Sequence, residues 1–266
     1  MTDLWNGEDS RGLAMLIAVA VLGLVVGSFL NVAIVRLPRR ESLLGRSLCR
    51  HCGARIAAYD NIPLLSFALL SGRCRACQAP IGWRYPLVEA STSAAFLAAV
   101  LRFGPTLTFA LASAFLAALI AITAIDLEHQ IIPDVITLPG VVVGLALGPL
   151  TGLTTWPPAF LGVLVCGGLL LVVIAVSGWV YARTDPSVPG GMGLGDMKLG
   201  AMLGAFLGWR AGLFALFVAV LAGGLVAAFL LLVRRKGRKD AVPFGPFLAL
   251  GGAIALLVAP PDILAP

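Results

Sequence analysis

Leu116-Ala-Ala-Leu-Ile-Ala-Ile-Thr-Ala-Ile-Asp126-Leu-Glu-His-Gln-Ile-Ile-Pro-Asp134 is the stretch on which the reading of this chain turns. An uncharged run long enough to be the end of a bilayer span meets a carboxylate at Asp126. A proline and a second carboxylate then precede the next apolar run. Gly191-Met-Gly-Leu-Gly-Asp196 repeats the arrangement further on, with Asp196 leading into another apolar stretch. Ionisable groups at membrane depth are costly, and where they occur they mark function.

The rest of the chain has the composition of a membrane protein. It holds 266 residues, 59% hydrophobic and 12% charged, with a mean hydropathy of +0.99. Soluble domains carry roughly 25% charged residues. Apolar stretches at 12–35, 86–103, 106–125, 134–151, 157–181, 197–209, 211–233 and 244–262 approach or exceed the ~20 residues that span a bilayer. The expected fold is therefore an all-α polytopic membrane protein of about eight transmembrane helices, the sixth short and glycine-rich. The first ten residues are acidic (Asp3, Glu8, Asp9), and the following apolar run is too long for the core of a signal peptide.

Charge placement sets an orientation. Residues 36–85 hold nine arginines against Glu41 and Asp60, and 234–240 adds Arg234, Arg235, Lys236, Arg238 and Lys239. With eight spans, all the basic residues except Arg11, Arg102 and Arg210 fall on one side, which the positive-inside rule makes cytoplasmic. Asp126 and Asp196 then share that boundary. Topology accounts for the arginines, and no nucleic-acid recognition motif accompanies them.

Two carboxylates brought together can share one proton, one acting as base toward a water and the other as acid. That chemistry hydrolyses peptide bonds without a metal or a nucleophilic side chain, and the residues read as a membrane aspartic peptidase with Asp126 and Asp196 catalytic. Gly193 and Gly195 would permit positive φ and close approach to a substrate strand, and Asp196 can also cap its helix. Asp134 reads chiefly as a helix cap. Lys198 has three readings: holding Asp196 ionised, binding a substrate carboxylate, or reaching for the interface. Ser28 and Asn31 read as interhelical hydrogen-bond partners, and Cys166 as a small packing residue.

Residues 36–85 form the sizeable soluble segment. Cys49-Arg-His-Cys52 and Cys74-Arg-Ala-Cys77 lie 21 residues apart, a spacing that lets two turns aim four sulfurs at one zinc ion. Few apolar side chains are available for a core there, so a metal also meets a stability need. Four thiolates leave no open position, which makes the zinc structural. Disulfides would require an oxidising compartment.

The order Gly27-Ser-Phe-Leu-Asn-Val32, Arg36-Leu-Pro38, paired cysteine knuckles around Asn61-Ile-Pro63, Arg84-Tyr-Pro86 with Glu89, Asp126 to Pro133-Asp134, Gly191 to Lys198, and Pro243-Phe-Gly-Pro246 resembles the bacterial prepilin peptidases. Arg50 stands where that family has proline. The resemblance implies cleavage of the short basic leaders of type IV prepilins or type II secretion pseudopilins at the cytoplasmic face of the inner membrane. Through the long cysteine loop it also implies N-methylation of the new N-terminus with S-adenosylmethionine, for which Glu89 is the candidate binding residue. The expected organisation is a first helix over 1–35, a cytoplasmic zinc loop over 36–85 and a peptidase core of about seven helices over 86–266. The competing readings are a proton-coupled transporter and a scaffold that binds prepilins without cutting them.

Overall fold

A computed structural model describes residues 10–184, 193–233 and 243–260. The apolar runs become helices because a backbone in hydrocarbon must satisfy its own N–H and C=O groups. They are α1 (Ser10–Arg36), the short α2 (Leu65–Leu69), α3 (Arg84–Phe103), α4 (Leu107–His129), α5 (Asp134–Thr151), α6 (Trp156–Gly162), α7 (Gly168–Thr184), α8 (Leu194–Leu232) and α9 (Gly245–Val258). A π-helical turn, Val163–Gly167, joins α6 to α7. The described residues contain no strand, only isolated bridges pairing Leu48 with Arg55 and Arg73 with Pro80.

Among the described residues, six helical segments are long and apolar enough to cross a membrane: α1, α3, α4, α5, Trp156–Val180 and α8; α9 is shorter. The expected count of eight is not reached on length: α8 takes in two of the expected spans, and α9 falls short. The two spans expected at 197–209 and 211–233, separated in sequence by Arg210, run as one helical segment whose backbone breaks at Gly208, with φ 73° and ψ 174°. A Cβ added to Gly212 would lie 3.5 Å from the Cα of Gly204. Eight residues of straight helix would separate those positions by ~12 Å. The chain therefore doubles back at Gly208, where only glycine readily adopts the required φ.

The chain divides into two compact units, Met1–Phe109 and Ala110–Pro266. In the first, α1 packs on α3 through small residues: a Cβ on Gly23 or Gly27 would meet the Cα of Ser93 or Glu89 at 2.6 or 2.7 Å. Asn31 Nδ2 donates to the Tyr85 carbonyl (3.1 Å) and Ser93 Oγ to that of Ala20 (3.0 Å), as expected of polar groups between apolar helices.

In the second unit the first half of α8 is central. Leu199, Gly200 and Met202–Gly208 are buried. Gly140 and Gly144 of α5, Gly162 of α6 and Gly252 of α9 all face it, and at each an added Cβ would meet an atom of the half-helix at under 3.0 Å. Phe206 stacks on Phe115 of α4, with ring centroids 4.3 Å apart. The closest approach is Gly162 to Gly204, where a Cβ on either would overlap the backbone of the other. Gly204→Leu is expected to cost at least ~2 kcal/mol by overpacking against backbone that cannot yield. Gly224→Ala, into open space, should stay within ~1 kcal/mol. Thermal unfolding of the purified protein in detergent measures both.

Candidate active site and metal centre

Asp126 is in the last turn of α4 and only 5% exposed; Asp196 is in the first turn of α8 and 8% exposed. Each carboxylate accepts a backbone N–H at the start of a helix. Gly245, the first residue of α9, donates to Asp126 Oδ2 at 3.0 Å. Gly193 donates to Asp196 Oδ2 at 3.1 Å. These are N–H groups that a helix leaves without an internal acceptor, and the positive end of the helix dipole favours the charge they hold.

Ile132 brings the two positions together. A Cβ on Gly195 would lie 2.9 Å from Ile132 Cβ, and one on Gly245 would lie 3.3 Å from Ile132 Cδ1. The residue beside Asp196 and the residue that binds Asp126 thus share one side chain.

Several local expectations change. Asp196 is the third residue of its helix, not its N-cap; the cap is Gly193, whose φ is −93°. Gly195 is helical and Gly193 extended, so neither uses positive φ. The role of Gly195 is close approach, to Ile132. Gly191 lies outside the described residues, as does the basic stretch Arg234–Lys239. Asp134 opens α5 after the N-cap Pro133 and makes no capping bond. Its carboxylate instead takes Lys198 Nζ at 2.7 Å on both oxygens. Of the three readings of Lys198, the structure shows a fourth: it ties the start of α8 to the start of α5. Glu128 and His129 are exposed in the last turn of α4, not in a loop.

Gly245 is the residue that sequence reasoning passed over. The signal was Pro243-Phe-Gly-Pro246, a glycine and proline opening an apolar helix, but nothing local to it names Asp126 as the acceptor.

The cysteine segment folds as two like turns. Gly53 N–H donates to the Cys49 carbonyl and Gln78 N–H to that of Cys74, while Cys49 and Cys74 donate to Ala54 and Ala79, all at 2.9 Å. The bridges Leu48–Arg55 and Arg73–Pro80 close the turns. The four Sγ atoms lie within 4.8 Å of one another, with Cys49 and Cys77 at 3.8 Å. Thiolates ~2.3 Å from a tetrahedral metal stand ~3.8 Å apart, so the set fits such an ion. The N–H groups of Cys52 and His51 lower the Cys49 thiol to about 6, providing a thiolate at neutral pH. Arg75 braces the second turn, gripping Asp60 with Nε and Nη2 at 2.7–3.1 Å.

In the same unit Glu89 is 7% exposed. It accepts the Leu64 N–H at 2.9 Å and a hydrogen bond from Ser28. One turn away, Asn31 Oδ1 is buried without a hydrogen-bond partner among the described residues.

Such a chain is a polytopic membrane protein with two buried carboxylates in its second unit and a thiol cluster in its first. Residues 113–228 match the type IV leader peptidase family, and residues 21–103 match the bacterial peptidase A24 N-terminal domain. A prepilin leader peptidase/N-methyltransferase of Burkholderia pseudomallei is 37% identical, over 95% of this chain and 88% of that one. One from Aeromonas hydrophila is 38% identical over 90% and 89%. A third, from Myxococcus xanthus, is 43% identical over 80% of this chain and 62% of that one. No solved structure matches. The chain belongs to the type IV leader peptidase family.

Two outcomes follow. Gly245→Ala would place a Cβ 2.6 Å from Asp126 Oδ2; peptidase activity should fall sharply while the protein still accumulates in membranes. The thiol cluster should hold one metal per chain at neutral pH. Binding requires the thiols to be deprotonated, so affinity falls as pH falls. Metal analysis after dialysis at successively lower pH should show progressive release.

Proposed function

We propose that this protein cleaves the short basic leader from type IV prepilins or type II secretion pseudopilins by an aspartate dyad, Asp126 and Asp196, at the cytoplasmic face of the inner membrane. The observation that supports this reading is that two buried carboxylates are each held by a helix-start N–H, with Ile132 between their neighbours. In hydrolysis the ionised member takes a proton from a water that attacks the scissile carbonyl. The protonated member supplies a proton to the leaving amine. The glycine N–H groups hold the oxygens in place, so the dyad needs little rearrangement to act. Asp134 and Lys198 hold the two helix starts in register. The names of the relatives and the chemistry of the pair both support the reading.

The same relatives support N-methylation of the new N-terminus. S-adenosylmethionine would supply the methyl group as an electrophile. Glu89, a buried carboxylate, suits its positive charge, and the unpartnered Asn31 Oδ1 would accept one of its N–H groups. The thiol cluster would hold a structural zinc ion that keeps the loop folded.

Purified protein incubated with a prepilin tests the reading by mass spectrometry. Asp126→Asn and Asp196→Asn should each lower cleavage by at least ~100-fold, the typical worth of a general acid or base, without loss of protein from the membrane. Asp134→Asn should stay within ~5-fold, because a half-exposed pair contributes little. Near-normal cleavage by either dyad variant would overturn the assignment. Given a precleaved substrate and S-adenosylmethionine, Asp196→Asn should still add one methyl group, whereas Glu89→Gln should not.

A further inference from the structure

The loop between α1 and α3 carries positive charge that its own acids do not neutralise. Residues 36–85 hold nine arginines and two acids, Glu41 and Asp60, and Arg75 already occupies Asp60. Arg46, Leu48 and Arg55 line an open cavity of about 390 Å³. The pairing of Leu48 with Arg55 that closes the first cysteine turn sets this arrangement. Neither Arg46 nor Arg55 has an acidic partner among the described residues.

Apolar side chains stand out beside this charge. Leu44 is 87% and Leu48 53% exposed. The turn that presents Leu44 is fixed: Arg36 donates to the carbonyls of Ser42, Leu44 and Arg46 at 3.0–3.2 Å. The bond from Asn31 to the Tyr85 carbonyl sets the C-terminal end of α1 beside the start of α3, so both tethers of the loop leave the bilayer at one level. Trp83, 73% exposed just before α3, marks that level as an interface.

We propose that this loop rests on anionic phospholipid headgroups, with Arg46 and Arg55 taking headgroup phosphate in their cavity and Leu44 and Leu48 entering the acyl boundary. A guanidinium pairs with phosphate through two parallel N–H bonds. Basic segments next to a span are drawn to an anionic leaflet, and exposed leucines add the buried area that interfacial binding needs. An acidic protein partner would account for the arginines but not for leucines at the level of the interface.

The test is hydrogen exchange in the whole protein, followed by mass spectrometry of peptides from 42–56. Nanodiscs of phosphatidylcholine alone are compared with nanodiscs containing phosphatidylglycerol. Exchange should slow in the anionic discs, by about 5-fold for each arginine engaged, and speed up again at high salt. Arg46→Gln with Arg55→Gln should abolish the difference while bound metal, measured in parallel, stays at the wild-type level. If that double variant loses its metal, Leu44→Ser provides the second reading and should reduce the protection. Equal exchange in the two discs would overturn the proposal. So would equal protection of the detergent-solubilised protein by inorganic phosphate alone, which would make the cavity a site for free anions.

Discussion

Close approach of small residues to the first half of α8 is the constraint on which the second unit depends. Lipid tails are as apolar as leucine side chains, so helices in a bilayer gain little from burying them against one another. Dispersion and close fit must supply the association, and both require small residues. Glycines on α5, α6 and α9 supply them, converging on Met202 to Gly208. Because that half-helix is gripped on every side, the turn that opens it is fixed as well. Asp196 inherits its position from contacts two and three turns further along.

A carboxylate in such surroundings must be desolvated and still kept in place. The molecule manages this with main-chain donors. Gly193 and Gly245 carry no side chain of their own to intrude, and each stands where a helix has spare N–H groups. The resulting site is assembled from three helix ends, and a lysine bridge between Asp134 and Lys198 adds a fourth.

The sequence disclosed what is expensive or strictly spaced. Asp126 and Asp196 stood out because charge beside long apolar runs is rare, and the four cysteines because thiolate geometry demands their spacing. Ser28 and Asn31 were legible as polar groups on an apolar helix. The reversal at Gly208 was only half visible: hydropathy and Arg210 marked two segments, but neither places the backbone break at a glycine two positions earlier. The bond from Gly245 to Asp126 spans 119 positions and leaves no local trace. Capping rules are local and assign Asp134 to its own helix, while its actual partner lies 64 positions away.

The two cysteine turns are near copies, with Cys74 standing to Cys49 as Gln78 stands to Gly53, yet they are not equally relaxed. Both Gly53 and Gln78 occupy left-handed backbone, with φ of 70° and 60°. Glycine adopts it freely, whereas a residue with a Cβ gives up ~1 kcal/mol or more. The first turn carries no such cost. The second carries it and is braced by the clasp of Arg75 on Asp60. The two halves of the cluster are thus unequal, one a relaxed template and the other a sprung latch, and a metal bound there would stabilise chiefly the latch.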